Sequence, residues 1–144
     1  MADFFNALLA TDENETINIR NVKAVYAALR SQDLEELGRL LVKEPVWDIA
    51  PGFPEGGVYR GMSGVFGEFY KKLIGRVRTL GAYPEAFLDH GNVVVALGYY
   101  RARGKTDEEA SIIRFAHIWG VDNDGKIKGV WQVADSALFP GNAK

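Results

Sequence analysis

The chain has no cysteine, so disulfide frameworks, thiolate metal sites and cysteine nucleophiles are excluded. Histidine is scarce: His90 and His117 are the only two, too few for a zinc site built from imidazoles. Basic charge is not in excess either. Lys plus Arg total 17 against 19 Asp plus Glu, a formal net charge of -2, which leaves no electrostatic footprint for phosphate backbones or anionic lipid. Nucleic acid and membrane are therefore not expected partners. No apolar run approaches the ~20 residues that span a bilayer. The opening stretch MADFFNALLATDENE lacks the basic flank and continuous apolar segment of a secretory leader. These absences lead to the expectation of a soluble, cytoplasmic protein.

What is present points to one domain with a real core, since 47% of the 144 residues are hydrophobic. In NVKAVYAALR, Val22, Val25, Tyr26 and Leu29 recur at i, i+3, i+4 and i+7, one face of a helix. Asp33 followed by Glu36 resembles a capping pair that opens a second short helix carrying Leu34, Leu37, Leu40 and Leu41. Ser63 can cap a third helix, whose apolar face is Phe66, Phe69, Tyr70, Leu73 and Ile74. After Gly75 the pattern turns to strand chemistry in RVRTLGAYPEAFLD, NVVVALGYYRAR, EEASIIRFAHIWGV and GKIKGVWQVADSALF. The last is entered through DNDG, a hairpin turn signal. A meander of about four long strands follows, with PVWDIA joining the sheet at one side. Three amphipathic helices covering one face of an antiparallel sheet give an α+β architecture.

A turn centred near Asn123 and Asp124 with an even register predicts that Trp131 and Val133 lie opposite His117 and Phe115. Asp135 is then further along the same face, with Ile113 and Trp119 beside it. Such a surface, concave under helices, would form a pocket for an apolar small molecule, with a few polar groups fixing its orientation.

Together VYAALRSQDLEELGRLL, PVWD, GVYRGMSGVFGEFY and FAHIWGVDNDGKIKGVWQVADSA resemble the nuclear transport factor two-like superfamily, and within it the SnoaL-like polyketide cyclase branch. The resemblance covers roughly residues 18 to 138. It implies a single SnoaL-like domain over 1–144 with a core of about 18–138 and an N-terminal extension, 1–17. The implied fold is a cone-like, strongly curved mixed or antiparallel sheet, cystatin-like and ketosteroid isomerase-like, whose concave face is covered by about three N-terminal helices. Alignment with the ketosteroid isomerase branch puts Asp48 at the general-base position. It also sets Val25 where that branch carries an oxyanion-binding tyrosine, with Tyr26 one position, about 100°, around the helix. His117 falls close to that branch's neutral acid, in an H-x-W pattern, and Asp135 matches the acidic position of SnoaL-like cyclases. The acid of the epoxide hydrolases' Arg-x-Asp is missing from RAR, Arg101 to Arg103.

The implied chemistry is proton transfer at carbon. A carboxylate in an apolar pocket is poorly solvated, so its pKa rises toward the range where it takes a proton beside a carbonyl, while an imidazole or neutral acid stabilises the enolate. An isomerase returns the proton elsewhere; a polyketide cyclase lets the enolate attack a second carbonyl. Neither needs a metal or an organic cofactor. The expected acid/base residues are Asp48 or Asp135 with His117, in a pocket walled by Tyr26, Trp47, Phe66, Tyr70, Trp119 and Trp131. The Pro/Gly segment 51 to 57 is expected as a stiff loop at the pocket mouth. Each residue also has a plainer reading: Asp48 satisfying turn amides, His117 bonded within a core, Asp135 solvated at a strand end. Two other functions fit the same fold, a non-catalytic binding or carrier domain and an adaptor. A homodimer through the sheet is expected, with Tyr99 and Tyr100 contributing.

Overall fold

The computed structural model describes residues 15–142; most of the expected N-terminal extension, 1–14, lies outside the described residues. Helix α1, Ile17–Ser31, opens at Thr16, whose side chain accepts the Ile19 N–H at 3.1 Å. It closes at Gln32, which takes a left-handed conformation, φ 56°. Helix α2, Leu34–Leu40, is capped by Asp33, which accepts the Glu36 N–H at 3.1 Å as expected. The third helix, α3, residues 63–75, departs from expectation: Ser63–Tyr70 is a π-helix that continues into the α-turn Lys71–Gly75. The backbone is already helical at Met62, so Ser63 is inside the helix and caps nothing.

Six strands form one open mixed sheet: β1 Leu41–Ile49, β2 Gly57–Arg60, β3 Val77–Asp89, β4 Val93–Gly104, β5 Ser111–Val121 and β6 Ile127–Ala134. Their order is β2-β1-β6-β5-β4-β3. The expected meander is β3 to β6, and β1 joins it as expected, parallel to β6. The four-residue edge strand β2 was not expected; its alternating half-buried and exposed residues are too few to show a period. Curvature comes from irregularities at fixed points. Glu85 is an extra residue between the Pro84 and Ala86 pairings. Opposite it, Gly98 packs so closely on the Tyr83 and Pro84 backbone that a Cβ there would collide with both.

A second bulge decides which residues face the core. The turn pairs Val121 with Ile127, as an even register requires, but Lys128 is then an extra residue and Gly120 pairs with Gly129. Every later pair is shifted by one, so His117 is opposite Gln132 and Phe115 opposite Ala134. The expectation that Trp131 and Val133 share the face of His117 is thereby corrected, because a one-residue slip moves a strand's side chains to the other side of the sheet.

The core lies between the concave face and the helices. Val22, Val25 and Tyr26 of α1, Leu37 and Leu40 of α2, and Val65, Phe69 and Leu73 of α3 pack against Trp47, Ile113, Phe115, Trp119 and Ile127. Each such side chain contributes about 1.5–3 kcal/mol through burial. The Pro/Gly loop after β1 folds inward as well. Phe53 is buried between Tyr100 and Phe139, with centroids 5.4 and 5.2 Å away. No helix of the described residues is long and apolar enough to cross a membrane.

Candidate functional site

A cavity of about 100 Å³ lies between α1, α3 and the inner face of β1, β4, β5 and β6. At ~10–15 Å³ for one water measured this way, it has room for several waters or one small ring compound. Its walls are largely apolar: Leu29, Ile49, Phe69, Leu73 and Val130 with the indoles of Trp47 and Trp119. Of its lining residues, Arg30, Gln32 and Ile74 are exposed, which places the mouth where α1 and α3 end and β3 begins. The left-handed turn at Gln32 halts α1 there. Arg30 is the only charged lining residue among those described, and it is anchored by donating to the Ala82 carbonyl at 3.0 Å. Among the described residues, no carboxylate lines the cavity.

The inner end carries the polar groups. His117 is buried, and both its ring nitrogens meet phenols: Nδ1 lies 2.5 Å from the Tyr26 hydroxyl and Nε2 lies 2.6 Å from that of Tyr100. The Trp119 indole N–H donates to the Tyr26 oxygen at 3.0 Å, and the Gln132 amide donates to the Tyr100 oxygen at 3.0 Å. The other end of that amide, Oε1, accepts the Ala50 N–H at 3.2 Å. Phe115 stacks flat on the imidazole at a centroid distance of 3.8 Å.

Burial sets the protonation of this group. Loss of water lowers the His117 imidazole to about 3, so it is neutral. Burial raises the Tyr100 phenol far above its ordinary value and raises that of Tyr26 as well, the Trp119 bond offsetting part of the effect. It pushes Tyr70, on α3, up to about 12. A proton count follows. A neutral imidazole has one N–H and one acceptor nitrogen, so it receives a hydrogen bond from one phenol and donates to the other. The phenol that receives already accepts from Trp119 or Gln132, and its own O–H has no partner within the group. One phenolic O–H of this group therefore remains for the cavity.

Five of the sequence-predicted residues come together here: Tyr26, Trp47, Tyr70, His117 and Trp119 line the cavity. Tyr26 reaches it although the alignment gave Val25 the tyrosine's position; Val25 is buried in the core. Phe66 is one layer back, edge-on to Trp47 at 5.9 Å and stacked with Tyr70 at 5.6 Å. Asp48 is not brought in. It lies between Trp47 and Ile49, which face the cavity, so its carboxylate is on the outer side of β1, in register with Val58 and Trp131. Trp131 is half-exposed on that outer face, and Asp135 is exposed beyond the end of β6. The Pro/Gly loop is also placed differently from expectation. None of residues 51–57 lines the cavity, and Phe53 instead backs Tyr100.

Tyr100 and Gln132 are the site residues that sequence reasoning missed. Tyr100 was assigned to an outer surface, but its neighbour Tyr99 faces out, stacked on Tyr83 at 5.7 Å, and Tyr100 is buried. The inward series Val94, Ala96, Tyr100 and Ala102 was the available signal. For Gln132 the signal was Gly129, a glycine inside a strand pattern near a turn, which marks a bulge.

Solved structures share this architecture. An NTF2-like protein from Burkholderia pseudomallei K96243 superposes with a TM-score of 0.76 at 22% identity, over 88% of this chain and 99% of its own. TerC, co-crystallised with polyporic acid, matches with a TM-score of 0.74 at 23% identity, over 85% of this chain and 94% of its own. A putative SnoaL-like polyketide cyclase from Shewanella denitrificans OS-217 matches with a TM-score of 0.69 at 16% identity, over 85% and 93%. No curated protein matches the sequence. The family model of the SnoaL-like domain matches residues 22–130, from α1 into β6 and over every lining residue of the cavity except Gln132, and the chain belongs to the SnoaL-like domain family of the NTF2-like superfamily.

Proposed function

We propose that the cavity binds a small, largely apolar carbonyl compound and polarises its oxygen with the phenolic O–H left over at the inner end, as a cofactor-free site of the isomerase or intramolecular cyclase type. The observation that carries this is the Tyr26–His117–Tyr100 group at the inner end of apolar walls, whose proton count leaves one phenolic O–H without a partner in the group. A neutral donor held in a water-poor site stabilises an oxygen on which negative charge develops, at little reorganisation cost. Tyr26 and Tyr100 then take the role that the sequence suggested for an acid, and Asp48 and Asp135 take none at this cavity. The fold neighbour co-crystallised with polyporic acid supports a small-molecule site in this architecture.

The test is binding of 2-tetralone against tetralin, the same bicycle without the carbonyl, followed by quenching of Trp47 and Trp119 fluorescence. The ketone is expected to bind about fivefold more tightly, as one net hydrogen bond of ~1 kcal/mol requires. Equal affinities, or no binding of the ketone, would reject the reading.

We further propose a homodimer through the outer face of the sheet. Trp131, Ile118, Val95 and Leu88 are linked by register into an apolar row on the outer face, of which Trp131 and Leu88 are 49% and 43% exposed, and Asp48 ends the row beside Trp131. A contiguous exposed apolar surface of this kind favours association.

A further inference from the structure

We propose that Tyr26, His117 and Tyr100 act as a neutral proton relay, which moves one proton across a bound conjugated ketone from the carbon beside the carbonyl to the carbonyl oxygen. The inference rests on the ketone-binding reading and deepens it by naming how a proton moves where none of the described carboxylates lines the cavity.

In one arrangement Tyr26 donates to Nδ1, the Nε2–H donates to the Tyr100 oxygen, and the Tyr100 O–H meets the ligand's carbonyl oxygen. Four protons then shift in one direction. Tyr100 gives its proton to the carbonyl oxygen, and Nε2 gives its proton to the Tyr100 oxygen. Tyr26 gives its proton to Nδ1, and the Tyr26 oxygen takes the proton of the ligand's C–H. The electron pair of that C–H bond becomes the C=C bond, and the carbonyl π pair becomes the new O–H bond. The ketone leaves as its enol. The protein is left in the opposite tautomer, with the N–H on Nδ1, and no group has acquired a net charge. Return of the proton to another carbon of the conjugated system runs the same shifts backward and isomerises the double bond.

Three observations carry the proposal. Both ring nitrogens are bonded to phenols, at 2.5 and 2.6 Å, so the chain of donors is continuous. Each phenol oxygen also receives one fixed donor at 3.0 Å, Trp119 on one side and Gln132 on the other, so the two tautomers have equal numbers of bonds. Both phenols line the cavity. The ionisable groups around the imidazole are Tyr26 on α1, Tyr70 on α3 and Tyr100 on β4, with Arg30 at the mouth. Burial raises all three phenols and lowers the imidazole, so the group keeps one charge state from pH 5 to 8.

Two measurements test this. Long-range ¹H–¹⁵N NMR of the ligand-free protein is expected to give a neutral imidazole whose two nitrogens both show averaged protonation. A single fixed tautomer overturns the relay. The second follows deuterium uptake at C1 of 2-tetralone in D₂O, with indole quenching reporting binding in the same samples. Exchange in the wild type is expected to exceed buffer by about 100-fold, as positioned acid/base groups provide, and to stay flat from pH 5 to 8 after buffer subtraction. It is expected to fall about tenfold or more in both Tyr26→Phe and Tyr100→Phe. Binding without faster exchange, or exchange that survives Tyr26→Phe, overturns the relay and leaves the binding reading standing. Failure of the ketone to bind overturns both.

Discussion

Because burial holds the His117 imidazole at about 3, the unfolded chain takes up a proton on this residue at a pH where the folded chain refuses it. The sign is fixed by that difference. Above the ordinary histidine value of ~6.5 both states are neutral and nothing is lost, whereas between about 6.5 and 3 the unfolded state binds more protons. Folding is expected to weaken by about 1.4 kcal/mol for each pH unit across that window. Urea unfolding of the wild type and His117→Gln from pH 7 down to pH 4 checks this: the variant's loss of stability on acidification should be shallower by that slope. Tyr100 has a different liability. Tyr100→Phe leaves the Gln132 amide and one edge of the imidazole without partners, and should cost about 1–3 kcal/mol for each group left bare, read as a lower urea midpoint.

At the scale of elements, two short irregularities hold the site together. Gly129, beside the bulge at Lys128, has φ 159°, and a Cβ there would strike the Val46 carbonyl of β1. Gly129→Ala is expected to cost about 1–3 kcal/mol of stability through strained backbone, measured by denaturant unfolding. Phe53→Ala opens space behind Tyr100 and should cost about 3–5 kcal/mol by the same measurement. These irregularities also mark where the sequence stopped being readable. The three helices and the four long strands were legible because their apolar residues repeat at 3.6 or at 2 over many positions. The aromatic and imidazole residues that protrude from those repeats, Tyr26, Trp47, Tyr70, His117 and Trp119, were legible as a cavity wall for the same reason. Trp131 and Gln132 were not, since a single extra residue reverses the faces and leaves the alternation of the strand intact. Asp48 was misplaced by a related limit: its alternation with Trp47 and Ile49 is visible, but an alignment position carries no information about which face a carboxylate takes. Phe53 looked like part of a mouth because Pro and Gly indicate a loop, and composition does not say whether a loop's one aromatic residue turns inward.

For the whole molecule, the outer face is the surface with a consequence for assembly. Trp131 is the largest side chain of its apolar row and is on the sheet face opposite the cavity, so Trp131→Glu should convert the proposed dimer to a monomer while leaving 2-tetralone affinity unchanged. Sedimentation velocity on both proteins decides the first point and indole quenching the second. An unchanged sedimentation coefficient would place the association elsewhere.

The parallel pairing of β1 with β6 also governs the order in which the chain can acquire its structure. Leu41–Ile49 is synthesised well before its partner Ile127–Ala134. Local pairing lets β3, β4 and β5 assemble as successive hairpins, whereas β1 must wait for a segment far along the chain, the kind of distant closure that slows folding. Until then Trp47 and the backbone edge of β1 are exposed to other chains, which leaves the nascent protein prone to aggregate until β6 has emerged. A chain stopped ahead of Ile127 would hold most of the cavity's residues and be unable to close it.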